Sequence, residues 1–164
     1  MNGTLEGFFD LSGRVAVVTG ATGILDGEMA RGFARAGARV GILGRREKRA
    51  AEVVAEIENE GGGAVTLVAD VLDREGLEAT RGVVIHRWGR LDVLVNAAGG
   101  NVPEATVSGN KDIFGLPEDA VRRVFDLNLL GKVLRSHIFG EAMPGVPITK
   151  DAWSTSLRCP RRSP

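Results

Sequence analysis

The sequence predicts an α/β fold: a doubly wound parallel sheet of about four strands, with helices on both faces. Three observations support this prediction. Short apolar runs alternate four times with longer amphipathic runs, in the order strand then helix. The strand segments are apolar at nearly every position, as in a sheet that is covered on both sides. A helix between successive strands makes them parallel, and the right-handed sense of such connections packs the helices against the sheet.

Four short segments have the composition of buried strands. They are rich in valine, isoleucine, leucine and alanine, which suits a sheet interior. The predicted strands are residues 14–19, 38–43, 64–69 and 91–95. Residues 101–115 are polar and contain glycine, so they are predicted to form a loop after the fourth strand.

Four longer segments have the spacing of amphipathic helices. The predicted helices are residues 24–37, 45–60, 73–88 and 117–139. In the second of them, Ala50, Val53 and Ile57 share one face, opposite charged residues. Asp73 is predicted to cap the third helix, and Pro117 suits the first turn of the fourth.

Composition indicates one ordinary domain and excludes several classes of protein. The chain has 164 residues, and its formal net charge of zero gives no indication of a nucleic acid or an anionic membrane as partner. No apolar run is long enough to span a bilayer, and the first residues do not have the pattern of a secretory signal. The single cysteine rules out an internal disulfide, so a cytoplasmic location is predicted.

The composition changes after Met143. Residues 144–164 hold four of the six prolines and have neither helical nor strand periodicity. The charged residues there are Lys150, Asp151, Arg158, Arg161 and Arg162. We predict a folded domain over residues 1–143 and a disordered basic tail over residues 144–164. Four cations are too few to indicate nucleic-acid binding, so no such partner is predicted.

A glycine-rich turn joins the first predicted strand to the first predicted helix. It reads Thr-Gly-Ala-Thr-Gly-Ile-Leu-Asp-Gly over residues 19–27. Glycines at such a turn let the backbone approach the pyrophosphate of a dinucleotide, and the helix N-terminus offers N–H groups to the phosphates. The alternative is an ordinary strand-to-helix turn that binds no ligand.

A second segment of small residues, Asn-Ala-Ala-Gly-Gly-Asn over residues 96–101, follows the fourth predicted strand. Together with the Thr-Gly turn, it resembles the short-chain dehydrogenase/reductase family, and the resemblance extends over residues 11–143. The turn and residues 99–106 most resemble the family's branch of D-mannonate oxidoreductases, which are similar to fructuronate reductases. The resemblance implies an NAD(P)-binding Rossmann fold and hydride transfer to or from the carbonyl or alcohol of a sugar acid.

The resemblance also implies a set of cofactor-binding residues at the carboxyl ends of the strands. These are Thr19, Gly20, Thr22, Gly23, Ile24, Leu25, Arg45, Asp70, Val71, Asn96, Ala97, Ala98 and Gly99. Within this set Asp70 would bond the edge of the adenine ring, and the alternative for Asp70 is a plain helix-capping acid. The segment from Asn96 to Gly99 would line the cofactor.

The residues after the second strand affect the choice between NAD and NADP. An acid there binds the ribose 2′-hydroxyl of NAD, whereas a basic residue favours the 2′-phosphate of NADP. This chain has Gly44, Arg45 and Arg46 at that place. We therefore predict NADP as the preferred cofactor, with NAD as the alternative. The other interpretation is that the two arginines only form the exposed start of the next helix.

Asp26 departs from the pattern of the branch, which has glycine at this position. Its carboxylate is expected in the first turn of the helix, beside the pyrophosphate, where it would repel the phosphates and crowd the approach of the backbone. We predict weaker dinucleotide binding than in a relative with glycine. The alternative is a tolerated surface acid, which suits the helix dipole.

The catalytic part of the family pattern has no counterpart in this sequence. The resemblance implies Asn128 as a catalytic residue that kinks the last helix and holds a water, and the alternative is a helix asparagine bonded to a carbonyl. The family's serine, tyrosine and lysine cannot be placed, because the chain contains no tyrosine. Lys150, Ser154 and Ser156 lie in the predicted tail, off the pattern. No metal ligands are predicted.

Three interpretations of the function follow. The first is an NAD(P)-dependent oxidoreductase that has lost its catalytic segment, so that this truncated chain transfers no hydride. The second is a non-catalytic dinucleotide-binding module that pairs with an intact relative, since the family forms homo-oligomers through helices that include the last one. The third is an inactive product of a frameshifted gene, because the tail has the composition of an out-of-frame sequence.

Overall fold

The structure, a computed structural model, describes residues 9–21, 23–107 and 112–145. The side chain of Ile24 lies outside this description. The predicted binding residue Thr22 also lies outside the described residues, as does the predicted tail beyond Gly145.

The four strands are parallel and form one sheet in the order β3-β2-β1-β4. The strands are β1 (Val15–Thr19), β2 (Arg39–Gly44), β3 (Gly63–Val68) and β4 (Val93–Asn96). The helices are α1 (Ile24–Arg35), α2 (Glu47–Asn59), α3 (Arg74–Trp88), α4 (Glu118–Phe125) and α5 (Gly131–Gly140). The predicted incomplete Rossmann-type sheet with its βα alternation is therefore confirmed.

Two apolar clusters cover the two faces of the sheet. One joins Val18, Val40 and Ile42 of the sheet to α1 and α2. The other joins Val17 and Leu43 to α3 and α5. All five residues of β1 are buried, as expected for a strand between two neighbours and two helical layers.

The last predicted helix is divided in the structure. A π-helical turn (Asp126–Leu130) separates α4 from α5, so the chain does not form one uninterrupted helix over residues 117–139. In this turn the N–H of Gly131 bonds the carbonyl of Asp126, five residues back. The side chain of Asn128 donates to the carbonyl of Val124 at 3.0 Å, which satisfies a carbonyl beside the wider turn. Short 3₁₀ turns (Pro103–Ala105 and Ile113–Gly115) interrupt the predicted loop.

The fourth strand begins at Val93, two residues later than predicted, and Asp92 just before it joins β4 to β1. Its carboxylate accepts the N–H of Val15 at 2.9 Å, and its own N–H donates to the Val15 carbonyl at 2.8 Å. Arg14 and Arg90 donate to the same carboxylate. The guanidinium of Arg90, together with the Val15 N–H, holds the pKa of Asp92 at about 2, although burial opposes this shift.

Among the described residues, no helix has the length and apolar character needed to cross a membrane.

We predict that Asp92→Asn lowers the free energy of unfolding near neutral pH by about 2 kcal/mol, because two guanidinium groups lose their anionic partner. The folded-state pKa of about 2 lies below the ordinary value of 3.8, so this stabilisation is complete above about pH 5. It disappears as the pH falls towards 2, where wild type and variant should converge. Urea unfolding measured at several pH values gives the comparison.

Glu78→Gln is the matched control, because Glu78 pairs with Arg74 on the exposed surface of α3. Exposed pairs of this kind contribute less than about 1 kcal/mol. A pH-independent difference between wild type and Asp92→Asn would contradict the role given to the carboxylate.

Candidate functional site

A cleft of about 570 Å³ lies at the carboxyl ends of β1, β2 and β4. Its volume is in the range of ordinary ligand sites, and in open parallel sheets this edge is where ligands bind. Its lining is drawn from the glycine turn, the two loops beyond β2 and β3, and the segment after β4. The lining residues are Gly20, Gly23, Asp26, Leu43, Gly44, Arg45, Arg46, Val71, Ala97, Ala98, Gly99 and Leu127.

The glycine turn brings the end of β1 against the backbone beyond β4. Gly20 has φ +77°, and a Cβ at this position would lie 2.8 Å from both N and Cα of Ala98. The buried Thr19 strengthens the contact, since its Oγ1 donates to the carbonyl of Val95 at 3.0 Å and accepts the N–H of Ala98 at 3.1 Å. The two backbone segments are therefore held at a separation that a residue with Cβ at position 20 does not permit.

The N-terminus of α1 opens onto the cleft. Gly23 is the N-cap of α1. It has no side chain, so the N-cap residue offers no side-chain oxygen to the first N–H groups of the helix. Asp26 lies in the first turn and lines the cleft, as the sequence predicted. Leu25 is 73% exposed and is not part of the cleft lining, although it belongs to the predicted binding set.

Opposite charges meet at the β2–β3 side of the cleft. Nη1 of Arg45 lies 3.6 Å from Oδ2 of Asp70, and both side chains are largely exposed. Oδ1 of Asp70 accepts the N–H of Leu72 at 2.9 Å, which fixes the carboxylate in the loop after β3. Arg46 also lines the cleft, and the buried Val71 adds an apolar surface. This side of the cleft thus carries two cations and one anion.

The segment after β4 forms the opposite wall. Ala97, Ala98 and Gly99 line the cleft. Asn96 does not line it, and its side chain faces α5 instead: Oδ1 accepts from Nε of Arg135 at 3.0 Å, and Nδ2 donates to Oγ of Ser136 at 3.0 Å.

Asn128 braces the same wall from the π-helical turn. Its Oδ1 accepts the N–H of Gly100 at 3.1 Å, and its Nδ2 donates to the Gly100 carbonyl at 2.7 Å. A Cβ at Gly99 would lie 2.6 Å from this Oδ1, so a larger residue there would displace the amide of Asn128. These bonds show a structural role for Asn128, and its predicted catalytic role stays a prediction.

Most of the predicted binding residues lie together in the structure. Seven of them line the cleft: Gly20, Gly23, Arg45, Val71, Ala97, Ala98 and Gly99. Thr19 bonds Ala98 and Asp70 forms an ion pair with Arg45, both of which line the cleft, whereas Asn96 bonds Arg135 behind it. Sequence analysis missed Leu43, Leu127 and the buried Arg135. The first two are ordinary apolar residues of a strand and a helix, and no local pattern distinguishes them from core residues.

No group of three or more metal-ligating side chains occurs within the described ranges.

The cleft suits a dinucleotide, because its volume of about 570 Å³ and its lining of small residues at Gly20, Gly23 and Gly99 leave room beside the N-terminus of α1. A parallel sheet of this order, with a glycine turn and a cleft at the strand ends, defines a Rossmann-type α/β protein. The chain belongs to the short-chain dehydrogenase family, since the model of that family matches residues 14–147.

Individual relatives agree with this assignment. The uncharacterized oxidoreductase UxuB of Bacillus subtilis is 37% identical over 142 residues, which are 82% of this chain and 51% of that protein. The 7alpha-hydroxysteroid dehydrogenase of Escherichia coli is 34% identical over 119 residues, 73% of this chain and 44% of that protein. The chain therefore spans about half the length of the curated relatives it matches.

Solved structures show the same fold. A candidate D-mannonate oxidoreductase from Haemophilus influenzae with bound NAD gives a TM-score of 0.78 at 29% identity, covering 85% of this chain and 54% of that one. A metagenomic short-chain oxidoreductase in complex with NADP gives a TM-score of 0.71 at 30% identity, covering 81% of this chain and 57% of that one.

We predict that Gly20→Ala lowers the free energy of unfolding by about 3 kcal/mol, because the new Cβ meets the Ala98 backbone and the positive φ becomes strained. The matched control is Gly61→Ala: Gly61 has φ +85° but nothing within 4 Å of the added Cβ. The loss of unfolding free energy in Gly61→Ala therefore measures the strain of the positive φ alone, which is about 1 kcal/mol. Urea unfolding followed by circular dichroism measures both, and equal losses would contradict the close approach.

Proposed function

We propose that this chain binds a nicotinamide dinucleotide in the cleft and is the cofactor-binding part of a short-chain dehydrogenase-type oxidoreductase. The observation that carries the proposal is the approach of Gly20 to Ala98 at the N-terminal end of α1, within a cleft of ligand-site volume. Relatives of the same fold have NAD or NADP bound, which supports this class of ligand.

Each side of the cleft suits one part of the dinucleotide. The N-terminus of α1, reached through Gly20 and Gly23, offers N–H groups and a positive dipole end to the pyrophosphate. Arg45 and Asp70 suit the adenosine and its ribose, and the wall at Ala97–Gly99 suits the other nucleotide. The bound nicotinamide would supply or accept the hydride.

NADP is the preferred cofactor in this proposal. Arg45 and Arg46 both line the cleft beyond β2, and neither Leu43 nor Gly44 offers a carboxylate to a ribose 2′-hydroxyl. Asp70 lies 3.6 Å from Arg45 and offsets part of its charge. Because the pair is exposed, it contributes little, and a 2′-phosphate can replace Asp70 as the partner of the guanidinium.

The 164 residues contain no tyrosine, the side chain that the family resemblance implies as proton donor. We therefore propose binding without hydride transfer for this chain. For a longer protein that carries this part, the substrate class is a sugar acid of the mannonate or fructuronate type. The support is the likeness to the candidate D-mannonate oxidoreductase, whose chain this one covers to 54%.

The test is a titration of the purified chain with NADPH and, separately, with NADH, followed by nicotinamide fluorescence. Saturable binding with a lower Kd for NADPH is the expected result. A flat titration of folded protein, judged by circular dichroism, would overturn the proposed function. Oxidation of NADPH by the same sample with fructuronate should stay at the rate without protein, and turnover would contradict the absence of catalysis.

Asp26→Gly should tighten NADPH binding by about threefold to tenfold, because one negative charge leaves the neighbourhood of the pyrophosphate. The gain should shrink at high salt, which screens exposed charges. Fluorescence titration at two salt concentrations measures it.

Asp119→Gly is the control, because Asp119 is an exposed acid in the first turn of α4 and is not part of the cleft lining. The Asp119→Gly variant should bind NADPH with the same Kd as the wild type. An unchanged Kd in Asp26→Gly would show that Asp26 is a tolerated surface acid.

Arg45→Ala should raise the Kd for NADPH by about tenfold, since a guanidinium–phosphate contact is lost, and should leave the Kd for NADH within about twofold. Arg49→Ala, which removes an exposed arginine of α2 paired with Glu52, should change neither. Equal weakening of both cofactors by Arg45→Ala would contradict recognition of the 2′-phosphate.

A further inference from the structure

Arg135 of α5 is a fully buried cation, with 0% of its surface exposed. Its Nε donates to Oδ1 of Asn96 at 3.0 Å, and its Nη2 donates to the carbonyl of Ala98 at 3.0 Å. Its Nη1 is buried and has no hydrogen-bond acceptor among the described residues. The guanidinium thus bonds two neutral acceptors, both at the end of β4.

Stability alone does not account for this arginine. Burial lowers its pKa, which reflects the unfavourable transfer of the charge out of water. Within the described part of the chain, none of the ion pairs includes Arg135, so no carboxylate compensates the transfer. An unbranched apolar side chain would fill a similar volume without the buried charge and the unsatisfied Nη1, at the cost of the two hydrogen bonds to Asn96 and Ala98.

The acceptors of Arg135 indicate what it does. Ala98 lies in the cleft wall, and its peptide groups are held from two sides. The N–H of Ala98 donates to Oγ1 of Thr19 at 3.1 Å, and the carbonyl of Ala98 accepts from Arg135 of α5 at 3.0 Å. The bond to Asn96 fixes the residue at which β4 ends. Arg135 therefore stands directly behind the wall, without facing the ligand.

The order of the strands assigns this wall to one half of the ligand. Arg45 follows β2 and Asp70 follows β3, so the adenosine half belongs to the β2–β3 side of the sheet. The glycine turn after β1 lies in the middle, and β4 lies on the far side. A dinucleotide crossing the strand ends therefore places its nicotinamide half against residues 97–99.

We propose that Arg135 is a positioning residue that holds residues 96–99 in the conformation required by the nicotinamide half of the cofactor. This inference rests on the proposed function, since it concerns the same cleft. Arg135 touches neither cofactor nor substrate in this proposal, and acts through Asn96 and the Ala98 carbonyl.

The test compares Arg135→Met with wild type in three measurements: the thermal midpoint, the Kd for NADPH, and the Kd for adenosine 2′,5′-bisphosphate, which contains only the adenosine half. The Kd for NADPH should rise by about tenfold, because the wall is no longer held in place. The Kd for the bisphosphate should stay within about twofold, and the thermal midpoint should change little, because removal of a buried charge offsets the loss of two hydrogen bonds. A purely structural role would lower the midpoint and would affect both ligands alike.

Two further variants support the comparison. Arg81→Met is the control, because Arg81 also donates to a backbone carbonyl, that of Ile138, but lies outside the cleft lining. It should leave both Kd values unchanged. Arg135→Lys keeps the charge but cannot donate to Asn96 and Ala98 in the geometry of the guanidinium, so the affinity of this variant for NADPH should fall as well. If Arg135→Met does not fold, the Kd values of Arg135→Lys test the proposal instead.

The outcomes separate this inference from the function on which it rests. If the folded wild-type chain binds no NADPH, the proposed function fails and the inference fails with it. If wild type binds NADPH and the Arg135 variants bind it equally well, or lose both ligands in parallel, only the role of Arg135 is overturned.

Discussion

The contact between the ends of β1 and β4 is the constraint on which the site depends. Gly20 and the Ala98 backbone are so close that a Cβ would lie 2.8 Å from two backbone atoms. Thr19 joins the same segments through a single hydroxyl that both donates and accepts. Because this contact sets the floor of the cleft, the glycine turn, the N-terminus of α1 and the far wall take their relative positions from it.

The charges around the cleft oppose one another, and their positions show which parts of a ligand they affect. Asp26 lies in the first turn of α1, where a carboxylate stabilises the empty helix end and competes with a phosphate for the same dipole. Arg45 and Arg46 lie at the β2 side, where the proposed NADP would place its 2′-phosphate. Arg135 lies behind the opposite wall and is screened from solvent. Each of these charged groups would therefore affect a different part of the proposed cofactor, which the net charge of the site does not describe.

The fold could be predicted from the sequence because its signals are local. Apolar strand segments, helical spacing and the glycines that end α1 and α2 each act within a few residues, and the observed bounds differ from the predicted ones by at most two residues, except at the divided last helix. Only the resemblance, through the kink at Asn128, pointed to that division, and the contacts of Asp92 and Arg135 could not be derived from the residues. Asp92 has the appearance of an ordinary polar residue before a strand, and its partner Val15 is 77 residues away. Arg135 lies in a helix in which the sequence pattern is equally compatible with a solvated arginine, so the sequence does not indicate its burial.

These contacts between residues far apart in the sequence all involve β4 or the segment after it. Within the described residues β4 pairs with β1 alone, and its residues are only half-buried where those of β1 are fully buried. A strand with one neighbour lacks half of the ladder bonds that fix a central strand. Asp92 fastens its beginning to β1, and Thr19 and Arg135 fasten its end. Within the described part of the chain, the wall of the cleft therefore depends on polar side-chain contacts at the two ends of a strand that is paired on one side, and a ligand that packs against this wall would stabilise that strand by binding to its ordered form.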